Sequence, residues 1–577
     1  MSDALGVRSV LRLGTRKSLL AVAQSTWVAR EVERLNKGLT VELVGIETRG
    51  DRIIDIPLRQ AEGKDFFVEE LNEALASGRV DFCVHSMKDL SLERPKAFVT
   101  AAIPPRADPR DIFIFNSART QERLARGEAL RIGTSSPRRL QLIPPFLKRA
   151  LPRFKNSAGD PQIEMIEIRG NVNTRLGRLY ESEDSARCLD GVVLALAGLT
   201  RLWRDDQARP VLAELLAPAR FMVMPLTHVP GAPAQGALAV ECRANDQGVL
   251  TALAKLHCEK TFAQVQQERA VLARWGGGCH QRFGAAAIEL ARLGTVMWAR
   301  GVGSAGEVID EVSWNGRQSG RMNTDRNERG INADECFSSS EWRSVKEVYL
   351  QEINLNEAAQ HDLQAGAESI GAQSTSAQSM SAWMCGHARA LPPQLEAVAA
   401  TKRIWAAGVS SWFALAQRGI WVEGSTEGLG AEACATWQEP VLRLPPPQSW
   451  IYLTHSSAAS IHAAATAASS AATSSRSGSV PLKSGGSTVK PIMKTVATYR
   501  LEPREVPPEI LRRLKSARYL YWSSYSAYEV LVRCLDETQG LHHSCGPGKT
   551  AENFESRGIP VTVFPSEKEW SRWTNGA

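Results

Sequence analysis

Val80-Asp81-Phe82-Cys83-Val84-His85-Ser86-Met87-Lys88-Asp89 decides the reading of the fold: a short β-rich strand over Val80–His85 runs straight into a polar turn, Ser86-Met87-Lys88-Asp89. The same succession of β-rich run, Gly/Ser/Thr/Arg turn and helical pattern recurs from about residue 9 to 300, which is the signature of an α/β fold. Val41–Glu47 ends in Thr48-Arg49-Gly50-Asp51, and Arg131–Thr134 leads into Ser135-Ser136-Pro137-Arg138-Arg139. There Ser136 before Pro137 reads as an N-cap with proline at the first helical position. Ile163–Ile168 leads into Arg169-Gly170-Asn171-Val172 and a helix carrying Arg175. Ligands of open α/β sheets gather at the carboxyl ends of strands, where helix N-termini also offer backbone donors to anions. These four turns put Arg, Lys, Ser and Asp at that edge.

The 577 residues suggest several domains at about 150 residues each. With 43% hydrophobic and 23% charged residues the chain is neither fibrous nor wholly disordered. Lys plus Arg (69) against Asp plus Glu (62) leaves +7, too small an excess over so large a surface to ask for a polyanionic partner. No run approaches the length of a membrane span, and Arg8, Arg12, Arg16 and Lys17 interrupt any h-region. A cytoplasmic protein is expected, with neither membrane nor nucleic acid as partner. Ten cysteines show no CxxC pair, so structural zinc and a disulfide framework are not expected.

Arg16, Arg138, Arg139, Arg169, Arg175 and Arg201 fall at the predicted turns, and arginines converging on one cleft suit a ligand with several carboxylates. Taken singly, each reads more readily as a surface salt bridge. The Arg138-Arg139 pair is different, because positive charge at a helix start opposes the macrodipole. Asp89 at a strand end suits a general acid or a stabiliser of developing positive charge, or else a partner for Lys88. Lys88 suits an anion clamp or a Schiff-base amine. Cys279 follows Gly276-Gly277-Gly278 on an exposed loop, as a nucleophile, an attachment point or a thiol without a role. His280 beside it reads as a bystander.

Seven motifs occur in order: Arg12-Leu13-Gly14-Thr15-Arg16-Lys17-Ser18; Gly63-Lys64 with Phe66-Phe67-Val68; His85 to Leu90; Gly133 to Arg139; Arg169 to Leu176; Ala197 to Leu202; and Gly277-Gly278-Cys279. Together they resemble the hydroxymethylbilane synthase, or porphobilinogen deaminase, family. The resemblance implies two periplasmic-binding-protein-like lobes plus a small α+β domain, with the active site between the lobes. It implies an enzyme of haem biosynthesis that joins four porphobilinogen molecules head to tail, releasing ammonia each time. It further implies a dipyrromethane cofactor held through a thioether to Cys279, a cleft built from Arg16, Ser18, Lys64, Ser86, Lys88, Thr134, Ser135, Ser136, Arg138, Arg139, Arg169, Gly170, Asn171, Arg175 and Arg201, and Asp89 as catalytic acid. Asp89 would assist loss of ammonia and stabilise cationic azafulvene and pyrrolenine intermediates. A monomer is expected.

The expected domains are 9–108 with a return segment 225–245, 109–224, and a cofactor-carrying domain 246–345. A linker 346–399 and a second α/β module 400–577 with a low-complexity insertion 456–487 follow. Asp65 departs from the family's Gly-Lys-Gly-Leu-Phe loop, and Ser91 replaces a proline. Pro144–Gln162 and Arg204–Leu226 read as surface insertions. In the tail, Ala497 to Leu501, Trp522 to Ala527 and Gly546 to Ala551 resemble uroporphyrinogen-III synthase, with room for one lobe and part of another. Two other readings compete. A non-catalytic anion sensor on the same lobes has no use for Cys279 or Asp89, and a nucleic-acid binder expects a basic stripe interleaved with aromatics.

Overall fold

The computed structural model describes residues 9–48, 68–154, 159–276, 281–314, 331, 333–350, 382–430, 435–445, 450–460, 494–535 and 540–575. It divides into two compact units, Met1–Ile288 with Met297–Ser313, and Glu289–Val296 with Trp314–Ala577.

The first unit holds two five-stranded sheets of the same plan. In one the order is Thr40–Ile46, Val10–Arg16, Phe82–Ser86, Leu238–Arg243, Phe98–Ala102. The first three strands are parallel, and Leu238–Arg243 is antiparallel to both its neighbours. Helices cover both faces, which is why the strands read as apolar runs rather than alternating ones. Val28, Ala29 and Val32 of helix Leu19–Leu35 pack on Leu11, Leu13 and Phe82. Leu71, Ala74 and Leu75 of helix Glu69–Ala76 pack on Ile46, Val80 and Cys83. The other sheet runs Ile163–Ile166, Leu130–Gly133, Gly191–Ala195, Asp111–Asn116, Ala219–Val223. Again three strands are parallel, and Asp111–Asn116 is antiparallel to both its neighbours. Mixed α/β lobes of this kind are the predicted fold class.

The chain crosses between the lobes after Ala102 and again between Val223 and Leu238. At Gly236, with φ +87°, a Cβ would lie 2.4 Å from the Ala107 carbonyl oxygen, so only glycine lets the two crossings pass this closely. Both are tied to one buried carboxylate, Glu268, which accepts from both terminal nitrogens of Arg106 (2.6 and 2.9 Å) and from the backbone N–H groups of Ala234 and Ala287 (2.6 Å each). Glu268 belongs to helix Glu259–Trp275, whose Val271 and Leu272 pack on Phe283, Ala285, Ala299 and Ile309 of a three-stranded sheet, Arg282–Leu290, Gly294–Val302, Val308–Trp314.

Several sequence expectations change here. Pro144 and Pro145 lie inside helix Pro137–Ala150, whose Phe146 and Leu147 are core residues. Within 204–226, Leu212 and Leu216 of helix Ala208–Leu216 are buried, and Ala219–Val223 is a sheet strand. The first span as far as Pro152, and the second from Ala208 to Val223, are therefore packed elements that prolines and polar helix faces disguised; 155–158 lie outside the described residues. Val249, Leu253 and Leu256, assigned from sequence to the third domain, share the first lobe's core with Leu11 and Leu13.

The second unit begins well before residue 400. Cys336–Ser338 pairs in parallel with Tyr519–Trp522, in a four-stranded sheet completed by His542–Cys545 and Thr562–Val563. Val345–Tyr349 and Ala382–Cys385, inside the span read as a linker, are strands of a six-stranded sheet with Lys494–Pro503, Trp450–His455, Arg403–Ala406 and Gly424–Ser425. The linker reading fails at both ends of its span, with Val345–Tyr349 at one and, at the other, Ala382–Cys385, a four-residue, fully buried strand in Ala/Ser/Gln-rich sequence; 351–381 lie outside the described residues. Ser456–Ser460 is helical, and the rest of the predicted insertion lies outside the described residues.

Candidate active site

A cleft of about 210 Å³ lies between the two lobes of the first unit. Arg16, Ser18, Ser86, Lys88 and Asp89 face it from one lobe, Ala197, Gly198 and Arg201 from the other, and Gln235 and Gly236 from the second crossing. Local structure fixes each position. Strand Val10–Arg16 delivers Arg16 to its carboxyl end, and Ser18 caps the following helix, its Oγ accepting from the Ala21 N–H at 3.4 Å. That 17-residue helix therefore begins at the cleft wall, its positive end toward the cleft. Strand Phe82–Ser86 ends in a single 3₁₀ turn, Met87–Asp89, which buries Met87 and leaves Asp89 exposed. Arg201, on helix Leu196–Arg204, donates to the Gly236 carbonyl at 2.6 Å.

The charge balance is cationic. Arg16, Lys88 and Arg201 line the cleft against one carboxylate, Asp89. Burial lowers the Lys88 ammonium, opposed by the charge of Asp89. Burial, then Arg204, pushes Arg201 down to about 10; burial, then Arg139, Arg178 and Arg169, does the same to Arg175. Desolvated cations crowding one another favour an anion that stabilises their charged form.

The second lobe's predicted residues divide. Asn171 caps helix Val172–Gly177, accepting from the Thr174 N–H at 2.9 Å. Gly170 has φ +107°, and a Cβ there would sit 2.9 Å from Thr174; its carbonyl accepts from Arg175 Nε at 2.8 Å. Thr134 Oγ1 accepts from the Ser136 N–H at 3.2 Å. Ser136 does occupy the N-cap of helix Pro137–Ala150, but its side chain makes no cap bond, so the capping expected from Ser-Pro is not made.

Arg138 and Arg139 do not line the cleft. Both are buried against Asp111: Arg138 Nη1 donates to it at 2.6 Å, and Arg139 Nη2 at 2.8 Å. Arg139 also donates to the Val193 carbonyl, and Arg138 to that of Pro230. The unfavourable charge at the helix start thus has a reason, one buried carboxylate. Lys64 and Cys279 lie outside the described residues.

Sequence reasoning missed Gln235. Its Nε2 donates to the Pro109 carbonyl (2.7 Å) and to Asp111 (3.0 Å), while its buried Oε1 has no hydrogen-bond partner among the described residues. The signal was the turn-rich segment Pro230-Gly231-Ala232-Pro233-Ala234-Gln235-Gly236 between apolar runs. Cations for carboxylates, and a buried acceptor for an N–H donor, fit a carboxylate-bearing pyrrole group.

Two like lobes joined by two crossings around a cationic cleft define a two-lobed α/β protein built to hold an anionic small molecule. Residues 11–251 match the family model "Porphobilinogen deaminase, dipyromethane cofactor binding domain". The chain is 39% identical over 304 residues to porphobilinogen deaminase of Syntrophotalea carbinolica, covering 53% of this chain and 86% of that one. It is 37% identical over 345 residues to that of Trichlorobacter lovleyi (59% and 98%), and 42% identical over 294 residues to porphobilinogen deaminase 1 of Streptomyces coelicolor (51% and 83%). The chain belongs to the porphobilinogen deaminase family. Among the described residues, no helix is long and apolar enough to cross a membrane.

Proposed function

We propose that the first unit condenses four porphobilinogen molecules head to tail into linear hydroxymethylbilane, releasing one ammonia at each C–C bond formed, as a cytoplasmic monomer. The observation that carries this reading is the cleft's charge pattern: three cations, Lys88 and Arg201 among them desolvated, around one exposed carboxylate among the described residues. Arg16, Ser18, Ser86, Lys88 and Arg201 hold the acetate and propionate groups of the pyrroles, with the N-terminus of helix Leu19–Leu35 adding to the attraction. Arg169, Gly170, Asn171 and Arg175, with Thr134, Ser135 and Ser136, extend the anion-holding wall on the second lobe, and Lys64 contributes from the first. Arg138 and Arg139 set the field of that wall from behind. Asp89 assists loss of ammonia from the substrate's own ammonium group, its carboxylate facing the positive charge that develops on the ring.

The dipyrromethane group, bound through Cys279, supplies a pyrrole carbon for the first bond. Cys279→Ser is expected to yield protein whose intact mass lacks the dipyrromethane increment and which does not react with Ehrlich's reagent; a normal adduct would place the attachment elsewhere.

The second unit is proposed to act on the product as a uroporphyrinogen-III synthase. Support comes from its two largely parallel sheets, with the resembling residues at strand ends: Ser523-Ser524 after Tyr519–Trp522, and Gly546 to Ala551 after His542–Cys545. Incubating the full chain with porphobilinogen and separating the oxidised uroporphyrins tests both units. Isomer III in excess is the expected result. Isomer I alone leaves the first activity standing and removes the second, and no porphyrin removes the first.

A further inference from the structure

Arg269 touches none of the cleft, yet its guanidinium is fixed to the backbone that carries Lys88 and Asp89. Nη1 donates to the Leu90 carbonyl at 3.2 Å and, at 3.5 Å, to that of Met87; Nη2 donates to the Ser91 carbonyl at 2.7 Å. One acceptor is the first residue of the 3₁₀ turn Met87–Asp89 and two follow it, so together they flank Lys88-Asp89 on both sides. Packing secures the turn only in part. The side chains of Met87 and Leu90 enter the core beside Val265, but the segment also borders a cavity of about 380 Å³, whose wall includes Leu92, Arg94, Arg269 and Ala273. A turn beside empty space has freedom that side-chain packing does not remove, so directional bonds from a planar donor set its position. The donor stands on helix Glu259–Trp275, which ends immediately before the Gly276-Gly277-Gly278-Cys279 segment.

We propose that Arg269 is a positioning residue, holding the Lys88-Asp89 turn in register with the helix that leads to Cys279. A lysine carries the same charge but not the planar fork that serves carbonyls on both sides of the turn. The inference rests on Asp89 as the catalytic acid, and a double-mutant cycle separates the two claims.

The cycle uses the full-length, cofactor-carrying protein: Arg269→Lys, Asp89→Asn and the pair, assayed for porphobilinogen consumption with melting temperature and cofactor content recorded. Arg269→Lys is expected to lower kcat at least about tenfold with KM within about twofold and the cofactor retained. In the Asp89→Asn background the same change is expected to cost less than about twofold, because the carboxylate it orients is gone. Equal losses in both backgrounds would make Arg269 a general structural residue, and an unchanged kcat would leave it without a role; either overturns the proposal. Full activity in Asp89→Asn alone would instead overturn the assignment of Asp89. Arg269→Gln, which keeps amide donors without the charge, is the second variant. If neither folds, Arg269 serves stability and the proposal fails.

Discussion

Asp89→Asn is expected to lower kcat by about 10²–10³-fold, or about 3–4 kcal/mol of barrier, the scale found when a charge-stabilising group is removed from an enclosed site. The geometry dictates the sign for each kinetic constant. Asp89 is exposed to the cleft and is its only lining carboxylate among the described residues, so it repels the substrate's carboxylates in the ground state and attracts positive charge that develops later. Removing its charge weakens the transition state while leaving KM unchanged or lower. A second consequence follows through Lys88. The charge of Asp89 is what opposes the effect of burial on the Lys88 ammonium. Without it the ammonium gives up its proton at lower pH, and the alkaline rise in KM for porphobilinogen should begin earlier in Asp89→Asn than in the parent. A kcat within threefold of the parent, or an unmoved alkaline limb, would remove Asp89 from the role given to it.

How far the sequence carries depends on the kind of constraint. The strand-turn units are local, and Thr40–Ile46, Phe82–Ser86 and Leu130–Gly133 could be read within a residue or two, because apolar runs ending in Gly, Ser, Thr and Arg have few other uses. Arg16, Ser18, Lys88 and Asp89 could be placed together because strand ends of one parallel sheet share an edge. Gln235 could not, since its place depends on a crossing that returns from the other lobe. The packing of Leu212, Phe146 and Ala382–Cys385 was likewise invisible: a proline inside a helix, or a short buried strand in Ala/Ser/Gln-rich surroundings, looks locally like a loop. The fate of Arg138 and Arg139 was half legible. The sequence announced that two cations at a helix start need an anion, but a ligand and the buried Asp111 answer that need equally well.

Asp111→Asn is expected to destabilise the first unit by about 3–5 kcal/mol, because it leaves two guanidinium groups buried without their carboxylate. Asp111 is fully buried, with Arg138 and Arg139 at 2% and 6% exposure. Burial alone would raise its carboxyl; Arg138 and Arg139 outweigh that and hold it well below the usual carboxylate range. A depressed carboxylate stabilises the fold above its unfolded value of about 3.9, and that contribution is lost as pH falls toward the folded value. Urea unfolding should therefore show the parent losing stability below about pH 4, with a shallower loss in Asp111→Asn. The triad also reaches the second crossing, since Arg138 donates to Pro230 and Gln235 donates to Asp111. A triple substitution, Asp111→Leu with Arg138→Met and Arg139→Leu, separates the cost of breaking the ion pairs from their net worth. If it restores parental stability and cofactor binding fails, the triad exists to set the charge of the second-lobe wall, at no benefit to folding. If it remains as unstable as Asp111→Asn, its bonds are what hold helix Pro137–Ala150 to the second crossing, and the electrostatic role of Arg138 and Arg139 falls.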